Sequence, residues 1–440
     1  MAEVIPQQAT QALNLMCRVF LSITSCTAAL LLTTVAAHAQ DISLGPRING
    51  DGALLIDDLD PDGQSVKLGE TDLVPSLRID FLSTDNTFRT ADNEIDSTTV
   101  VVSPQVNWYA ERRLIDLRAS YQGSFAQSSE DAPDYADHLL GFSANVEFNS
   151  KNRSFASIAF SSEHDDIGSG VLSNITESDP LDVAETSNFR LSAAHTFGAR
   201  SARGNLTGGL RVESRNFRNQ PTFTAGRDHL RIEPFARFSY RASADTRFII
   251  GGRLANFTFD NDINDRLDGT LFAGVNFAAT GKLSGIFRIG ATQSSFSESE
   301  RSDETSLFLD ADLLYRPSDF SQLRLGLRRD VDNDRGSFTA LESALDTTLT
   351  ASWDHQWSSR ISTRAAIEVE DFDATCPEPS DTVTTPSFEL EFALRRWISF
   401  GLSASAEQRD VSDCDNTAID DQGLDEYDRQ DFGVFVRGSL

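Results

Sequence analysis

The chain has 440 residues, with 38 basic and 67 acidic side chains and a formal charge of −29, which argues against nucleic acid and anionic surfaces as partners for the chain as a whole. Its hydrophobic content of 39% and mean hydropathy of −0.30 would ordinarily point to a soluble protein, and no stretch after the N-terminal apolar run is long and apolar enough for a membrane-spanning helix. Two classes remain, a soluble protein or a barrel that turns only alternate residues to lipid.

The N-terminus reads as an export signal. Arg18 precedes the apolar run VFLSITSCTAALLLTTVAA, which ends at Ala37-His38-Ala39. A basic residue, an apolar stretch and an A-x-A site are the parts of a cleavable signal, expected over residues 1–39. The first fifteen residues are polar and fit that scheme poorly, which makes Met16 an alternative start. Residues 40–71 are rich in Gly, Pro and Asp and read as a periplasmic leader or plug.

From residue 72 to residue 440 one unit repeats. Alternating segments of about 10–14 residues are separated by breaks that are short and long in turn. Short breaks fall near 110, 149, 198, 241, 279, 316, 357 and 394. Long ones fall near 84–97, 128–137, 164–186, 216–227, 260–268, 297–304, 331–341, 373–384 and 411–427. Eight short turns and nine long loops join eighteen strands. The expected fold is all-β: a closed antiparallel transmembrane β-barrel of about eighteen strands, with short periplasmic turns and long acidic extracellular loops.

The first strand shows the pattern. In SLRIDF, Leu77, Ile79 and Phe81 alternate with Arg78 and Asp80. A period of two puts the apolar set toward lipid and the charged pair toward a polar lumen. Residues 85–96 then form the first extracellular loop, with Asn86 helping the turn. Aromatic residues sort by position as well. Trp108, Trp353, Trp357, Trp397, Tyr109, Tyr240 and Tyr315 lie at short turns, and Phe125, Phe160, Phe217, Phe259, Phe296 and Phe372 lie before long loops. The expectation is two girdles, one at each membrane interface. The last segment, DFGVFVRGSL, is expected to close the ring, because an unpaired edge in hydrocarbon costs several kcal/mol per polar group.

The same alternation selects lumen-lining candidates: Arg78, Asp80, Arg118, Arg211, Arg253, Arg288, Arg324, Arg328, Arg364, Glu389 and Arg395. Two readings stand for them. They form a polar conduit whose Arg forks grip sugar or anionic groups, or a ladder of ion pairs that stiffens the wall. Cys376 and Cys414 lie in two long loops of an exported chain, where a disulfide and two free thiols are both open. Asp330, Asp332, Asp334, Gly336 and Glu342 resemble a calcium loop, but the Gly and the Glu each fall one place late. The histidines show no metal spacing and no nucleophile elbow is present, so no enzyme, metal or cofactor is expected.

The opening VPSLRIDFLSTDNTFRT (Val74 to Thr90), the VVVSPQVNW strand (Val100 to Trp108) and the aromatic-acidic stretch from Leu114 to Gly141 resemble the outer-membrane β-barrel porin family. Some members of that family are encoded beside capsule or exopolysaccharide genes. The resemblance is specific over the first third of the barrel and generic after it. Such barrels usually end in Phe or Trp, and Leu440 departs from this. The resemblance implies a barrel in the outer membrane of a Gram-negative bacterium with porin-like or polysaccharide-export roles, a channel for exopolysaccharide or other polar solutes; the competing expectation is a non-conducting structural or adhesive barrel, or a scaffold of a polysaccharide secretion complex. Expected partners are outer-membrane lipid and lipopolysaccharide, the barrel assembly machinery and polysaccharide export components.

Overall fold

The computed structural model describes residues 65–92, 94–129, 132–172, 183–260, 265–297, 302–332, 344–373, 380–412 and 426–439. The expected signal, most of the expected leader, Cys376, Cys414, Asp334, Gly336, Glu342 and Leu440 lie outside these residues. A short strand, β1 (Val66–Leu68), pairs with the base of β2 (Thr71–Thr84). Seventeen more strands follow: β3 (Ser97–Arg112), β4 (Ile115–Ser128), β5 (Tyr135–Asn149), β6 (Asn152–Asp165), β7 (Ala184–Phe197), β8 (Gly204–Phe217), β9 (His229–Arg241), β10 (Thr246–Phe259), β11 (Arg266–Thr280), β12 (Leu283–Phe296), β13 (Glu304–Ser318), β14 (Ser321–Asp332), β15 (Ala344–Ser358), β16 (Ile361–Asp373), β17 (Ser380–Arg395), β18 (Ile398–Ser412) and β19 (Tyr427–Ser439). Each of β2 to β19 pairs antiparallel with its neighbours in sequence, and β19 closes on β2, from Asp431 opposite Thr84 to Ser439 opposite Ser76. The ring has eighteen strands and no open edge, so every ladder hydrogen bond is made within the wall.

The wall is an inside-out core. Leu77 and Phe81 are 41% and 51% exposed, whereas Arg78 and Asp80 between them are 9% and 7% exposed. Leu140, Phe160, Ile250, Leu402 and Phe432 join the exposed apolar band. Buried positions carry instead Asn107, Ser143, Asn188, Thr207, Glu233 and Thr270. Apolar side chains face outward because lipid takes them without an ordered water shell, and the polar set turns inward where partners exist.

Register corrects the girdle expected at the long-loop end. Phe125 and Phe160 do face outward. Phe217 and Phe259 face inward: Phe217 pairs with buried Thr186, and Phe259 is itself buried two residues from Phe257. Phe296 sits opposite buried Arg266, and Phe372 opposite buried Asp381. Tyr109, expected at the lower girdle, shares its cross-strand row with Arg118 and Ser143, so it also faces inward.

Inward rings are a repeated device. Phe435 lies over Gly401 of the neighbouring strand, where any Cβ would collide with the ring. The same steric fit recurs between Phe235 and Gly209 and between Phe272 and Gly251. The rings lie against the wall, and arginines stack on them: Arg78 sits 3.8 Å above Phe435, Arg266 4.5 Å above Phe257, Arg211 4.8 Å above Phe235 and Arg253 5.0 Å above Phe308. Such contacts hold a guanidinium plane in place at small cost in hydration.

Candidate functional site

A dense polar cluster sits inside the barrel toward the long-loop end. It begins in the connection after β2. Asn86, fully buried, donates to the Thr90 carbonyl and accepts from the Thr90 N–H, which closes a tight loop. Three residues on, Arg89 takes a left-handed backbone conformation, φ 55, that a non-glycine residue rarely adopts. Its side chain is 0% exposed. The guanidinium donates to Glu407 of β18 at 2.8 Å, to Asp166 at 3.2 Å and to the Ile167 carbonyl at 3.3 Å. Strain at a residue that gathers this many charge-assisted bonds marks a position set by its surroundings rather than by its own preference.

The segment it grips, residues 166–172 after β6, crosses the lumen. Around the ring β6 and β18 are six strands apart, about 29 Å along the wall at the usual strand spacing. Yet Arg409 of β18 donates to the Gly168 carbonyl at 3.1 Å, and Arg429 of β19 lies 3.8 Å from Asp166. Gly168 has φ 78, and a Cβ there would meet both the Phe88 carbonyl and the Arg89 Cβ at 2.7 Å. Only glycine permits the two segments to cross so closely. Below the crossing, Ile167, Leu172 and Ala184 form a small buried apolar cluster with Phe88 and Phe217 against it. Phe217, inward by its register, packs against this cluster.

Neighbouring charges complete the network. His164 lies between Asp137, at 2.9 Å, and Asp166, at 3.2 Å, and stacks on Tyr135 with centroids 3.9 Å apart. Tyr427 donates its hydroxyl to Glu407. Arg409 pairs with Asp381 at 3.1 Å. Burial alone would raise the Asp166 carboxyl, but Arg89, His164 and Arg429 outweigh it and hold the group well below the usual carboxylate range. Burial likewise works against the Arg89 cation, and Glu407 and Asp166 more than offset it.

The candidates read from alternation fall along the wall below this crossing. Arg78 pairs with Asp80 at 2.8 Å and with Glu389 at 2.9 Å. Arg211 reaches buried Glu233 at 2.6 Å, and Arg231 reaches the same carboxylate. Arg253 bonds Asp330 at 2.5 Å, and Arg288 bonds Asp310 at 2.9 Å. Asp330, read in sequence as part of a calcium-like loop, is thus occupied by an arginine within β14. Arg328 and Arg364 stand on inward register positions with side chains 65% and 61% exposed. Arg118 is half-buried near the Tyr109 ring, and Arg324 is half-buried on the inner face of β14. Arg395 differs: it ends β17 and is exposed at the turn, on the rim rather than within the wall. Among the described residues no group of His, Cys, Asp and Glu side chains is arranged to hold a metal ion.

Sequence reading missed Arg89, Asp166, Glu407, Arg409 and the inward rings. The rings had a signal. Phe235 is two residues from Glu233, Phe308 two from Asp310 and Phe435 two from Arg437, so each shares the face of an inward charge.

Residues 60–424 match the model of a family described as "Putative beta-barrel porin 2". The chain belongs to that family. Among solved structures this porin is similar to OpdK of Pseudomonas aeruginosa, at 11% identity, over 84% of this chain and 99% of that one, with a TM-score of 0.43. It is also similar to OccK2 (OpdF) of the same organism, at 12% identity over 86% and 99% with a TM-score of 0.45. A BenF-like porin from Pseudomonas fluorescens Pf-5 matches at 11% identity over 85% and 100% with a TM-score of 0.46. Among curated proteins none matches the chain. Porin membership places the barrel in the outer membrane of a Gram-negative bacterium; the end with the short turns is called the periplasmic end and the end with the long loops the outer end, after the usual layout of such barrels.

Proposed function

We propose that this porin is a water-filled channel for polar solutes, exopolysaccharide among them, narrowed on its outer side by residues 166–172. The observation that carries the reading is the accessibility of Arg328 and Arg364. Both point inward by register, and both remain more than half exposed, so the lumen around them holds water. An inward guanidinium that water reaches offers a solute hydrogen bonds in fixed directions, as a sugar hydroxyl or carboxylate requires. A cleavable signal would deliver the chain to the periplasm, and the assembly machinery and lipopolysaccharide are its expected partners in the membrane.

The ionic ties across the lumen support a second reading, a closed barrel that serves as a structural or adhesive scaffold. Planar-bilayer recording of the refolded full chain separates the two. Stepwise conductance, together with liposome swelling in small sugars, is the expected result. Silent bilayers containing correctly folded protein would leave only the scaffold.

A further inference from the structure

The two ends of the barrel differ in the sign of their charge. The residues between strands at the eight short turns are 113–114, 150–151, 198–203, 242–245, 281–282, 319–320, 359–360 and 396–397. They carry seven basic and two acidic side chains, a net of +5. The long connections between strands, from 85–96 round to 413–426, carry five basic and 27 acidic side chains, a net of −22. A chain of net charge −29 thus keeps a basic rim at one end only.

The cations of that rim are held in different ways. Arg200 pairs with Glu147, and Lys282 donates to the Pro317 carbonyl at 2.6 Å. Arg113 is exposed, but Glu111 and Asp116 are exposed on either side of it, and its neighbour Arg112 pairs with Glu70 at 3.3 Å. The excess is therefore concentrated at Lys151, Arg203, Arg360 and Arg396, all exposed, with exposed Arg395 beside the last. These residues fall in two pairs of adjacent short turns, β5–β6 with β7–β8 and β15–β16 with β17–β18.

Each of the four turns also presents a ring. Phe148 stands before Lys151, Phe197 at the entry to the turn of Arg203, Trp357 before Arg360 and Trp397 after Arg396. All four rings are more than half exposed. Aromatic side chains at the ends of membrane strands settle at headgroup level. A cation in the same turn, just beyond the ring, then lies at the depth of the lipid phosphates, with its stem along the apolar surface and its head in the polar layer.

We infer that the short-turn rim is a docking surface for anionic phospholipid, and that it takes the phosphodiester of a phosphatidylglycerol-type headgroup in the surrounding leaflet. Guanidinium and ammonium groups both donate to phosphate oxygens, and the acyl chains of the same lipid continue onto the apolar band below the rings. Ring and cation in one turn are what distinguish a lipid from a soluble polyanion. A polymer lying across the mouth would use the cations and leave the rings idle. The surface is the same for an open or a closed barrel, so the inference stands apart from the channel reading above.

The test uses the full-length protein in phosphatidylcholine bilayers that contain either dibrominated phosphatidylglycerol or dibrominated phosphatidylcholine as quencher. The four tryptophans, Trp108, Trp353, Trp357 and Trp397, all lie at the short-turn end, so intrinsic fluorescence reads lipid at this rim. Heat-modifiable gel migration confirms that each variant is folded. The brominated phosphatidylglycerol is expected to quench with about fivefold higher affinity than the brominated phosphatidylcholine, as for a cation close to an anionic headgroup. The preference should vanish in about 1 M salt, where screening acts within about 3 Å. It should also vanish in the Lys151→Gln/Arg203→Gln/Arg360→Gln/Arg396→Gln variant. Arg218→Gln, exposed in a long connection at the other end, should keep it. Equal quenching of the wild type by the two lipids overturns the inference. A preference that survives in the fourfold variant, or one that Arg218→Gln abolishes as well, overturns it too. Cosedimentation of the wild type with isolated peptidoglycan, lost in the fourfold variant while the two lipids quench alike, overturns the lipid assignment in favour of a surface that meets the polymer.

Discussion

The two ends of the lumen use the same residue type to opposite ends. At the outer end Arg89 and Arg409 are buried against Glu407, Asp166 and Asp381, and cation and anion cancel. At the short-turn end Arg247 rests on the backbone carbonyl of Arg200, half-buried beside a cavity of about 430 Å³. An arginine on a carboxylate builds structure. An arginine on a carbonyl leaves a field for something else to meet. Counting inward arginines therefore says little until each acceptor is known.

The largest expected effect breaks the outer end outright. Excising residues 167–171, with two glycines in their place, removes the strand-to-strand tie that Arg409 and Arg89 make to that segment. Single-channel conductance should rise roughly threefold, since the crossing and not the wall then ceases to be the narrowest point. Equal conductance in the excised and intact proteins would mean that current passes elsewhere and that the outer end is not the constriction.

The second effect compares single residues across the two ends. Arg89→Ala leaves Glu407 and Asp166 without their shared cation, and removing one partner of a buried pair costs about 3 kcal/mol. Arg247→Ala removes a cation held by neutral acceptors near the rim, where a substitution of this sort falls within about 0.5 kcal/mol. Chemical unfolding in detergent should separate the two variants clearly. Arg89→Lys should fall between wild type and Arg89→Ala, because an ammonium cannot reach Glu407, Asp166 and the Ile167 carbonyl together. If Arg247→Ala proves as costly as Arg89→Ala, the distinction drawn between the two ends is wrong.

These contrasts also show what a sequence can carry. The eighteen strands, the closing pair of β19 with β2, and the opposite faces of Leu77 and Arg78 follow from a period of two and the demand that no edge stay open. The inward rings Phe235, Phe308 and Phe435 were legible too, by parity with Glu233, Asp310 and Arg437, and so was Phe217 by parity with Arg211, but for Phe217 proximity to a loop suggested a girdle instead. Arg89 was printed in the TFRT stretch with nothing to distinguish it. Its partner Glu407 is 318 residues away, and neither residue sits in a pattern that names the other. Loop insertion depends on long-range acceptors of this kind, which alternation within one strand does not encode. The periplasmic arginines were legible as turn residues, but not their acceptors, because backbone carbonyls have no sequence signature.

A third effect is steric and smaller. Gly168→Ala places a methyl group against the Phe88 carbonyl and Arg89 at a φ of 78. The local cost is about 1–2 kcal/mol, as for a side chain forced into the left-handed region. Hydrogen exchange should speed up at Thr87 and Arg89, while amides in β10 and β11 stay protected. Global loss of protection would show instead that the crossing is part of the barrel's cooperative core.

The smallest effect is an expected constancy. Asp166 faces Arg89, His164 and Arg429, with Glu407, Asp137, Tyr135 and Tyr427 packed around them. A carboxyl whose folded pKa is depressed contributes stability above its unfolded value, near 3.9, and loses it only as pH falls through the folded value. A guanidinium whose pKa is raised keeps its contribution at every pH below its ordinary range. Both signs point the same way, so the crossing should hold from about pH 5 to pH 9. Conductance measured over that range should be flat in wild type. It should begin to rise only in acid below the usual carboxylate range, and in Arg89→Ala that rise should move toward neutral pH, because Asp166 has then lost its strongest cation. A steep change in wild-type conductance between pH 5 and pH 7 would contradict this and assign the control of the outer end to a group other than the Arg89–Asp166 pair.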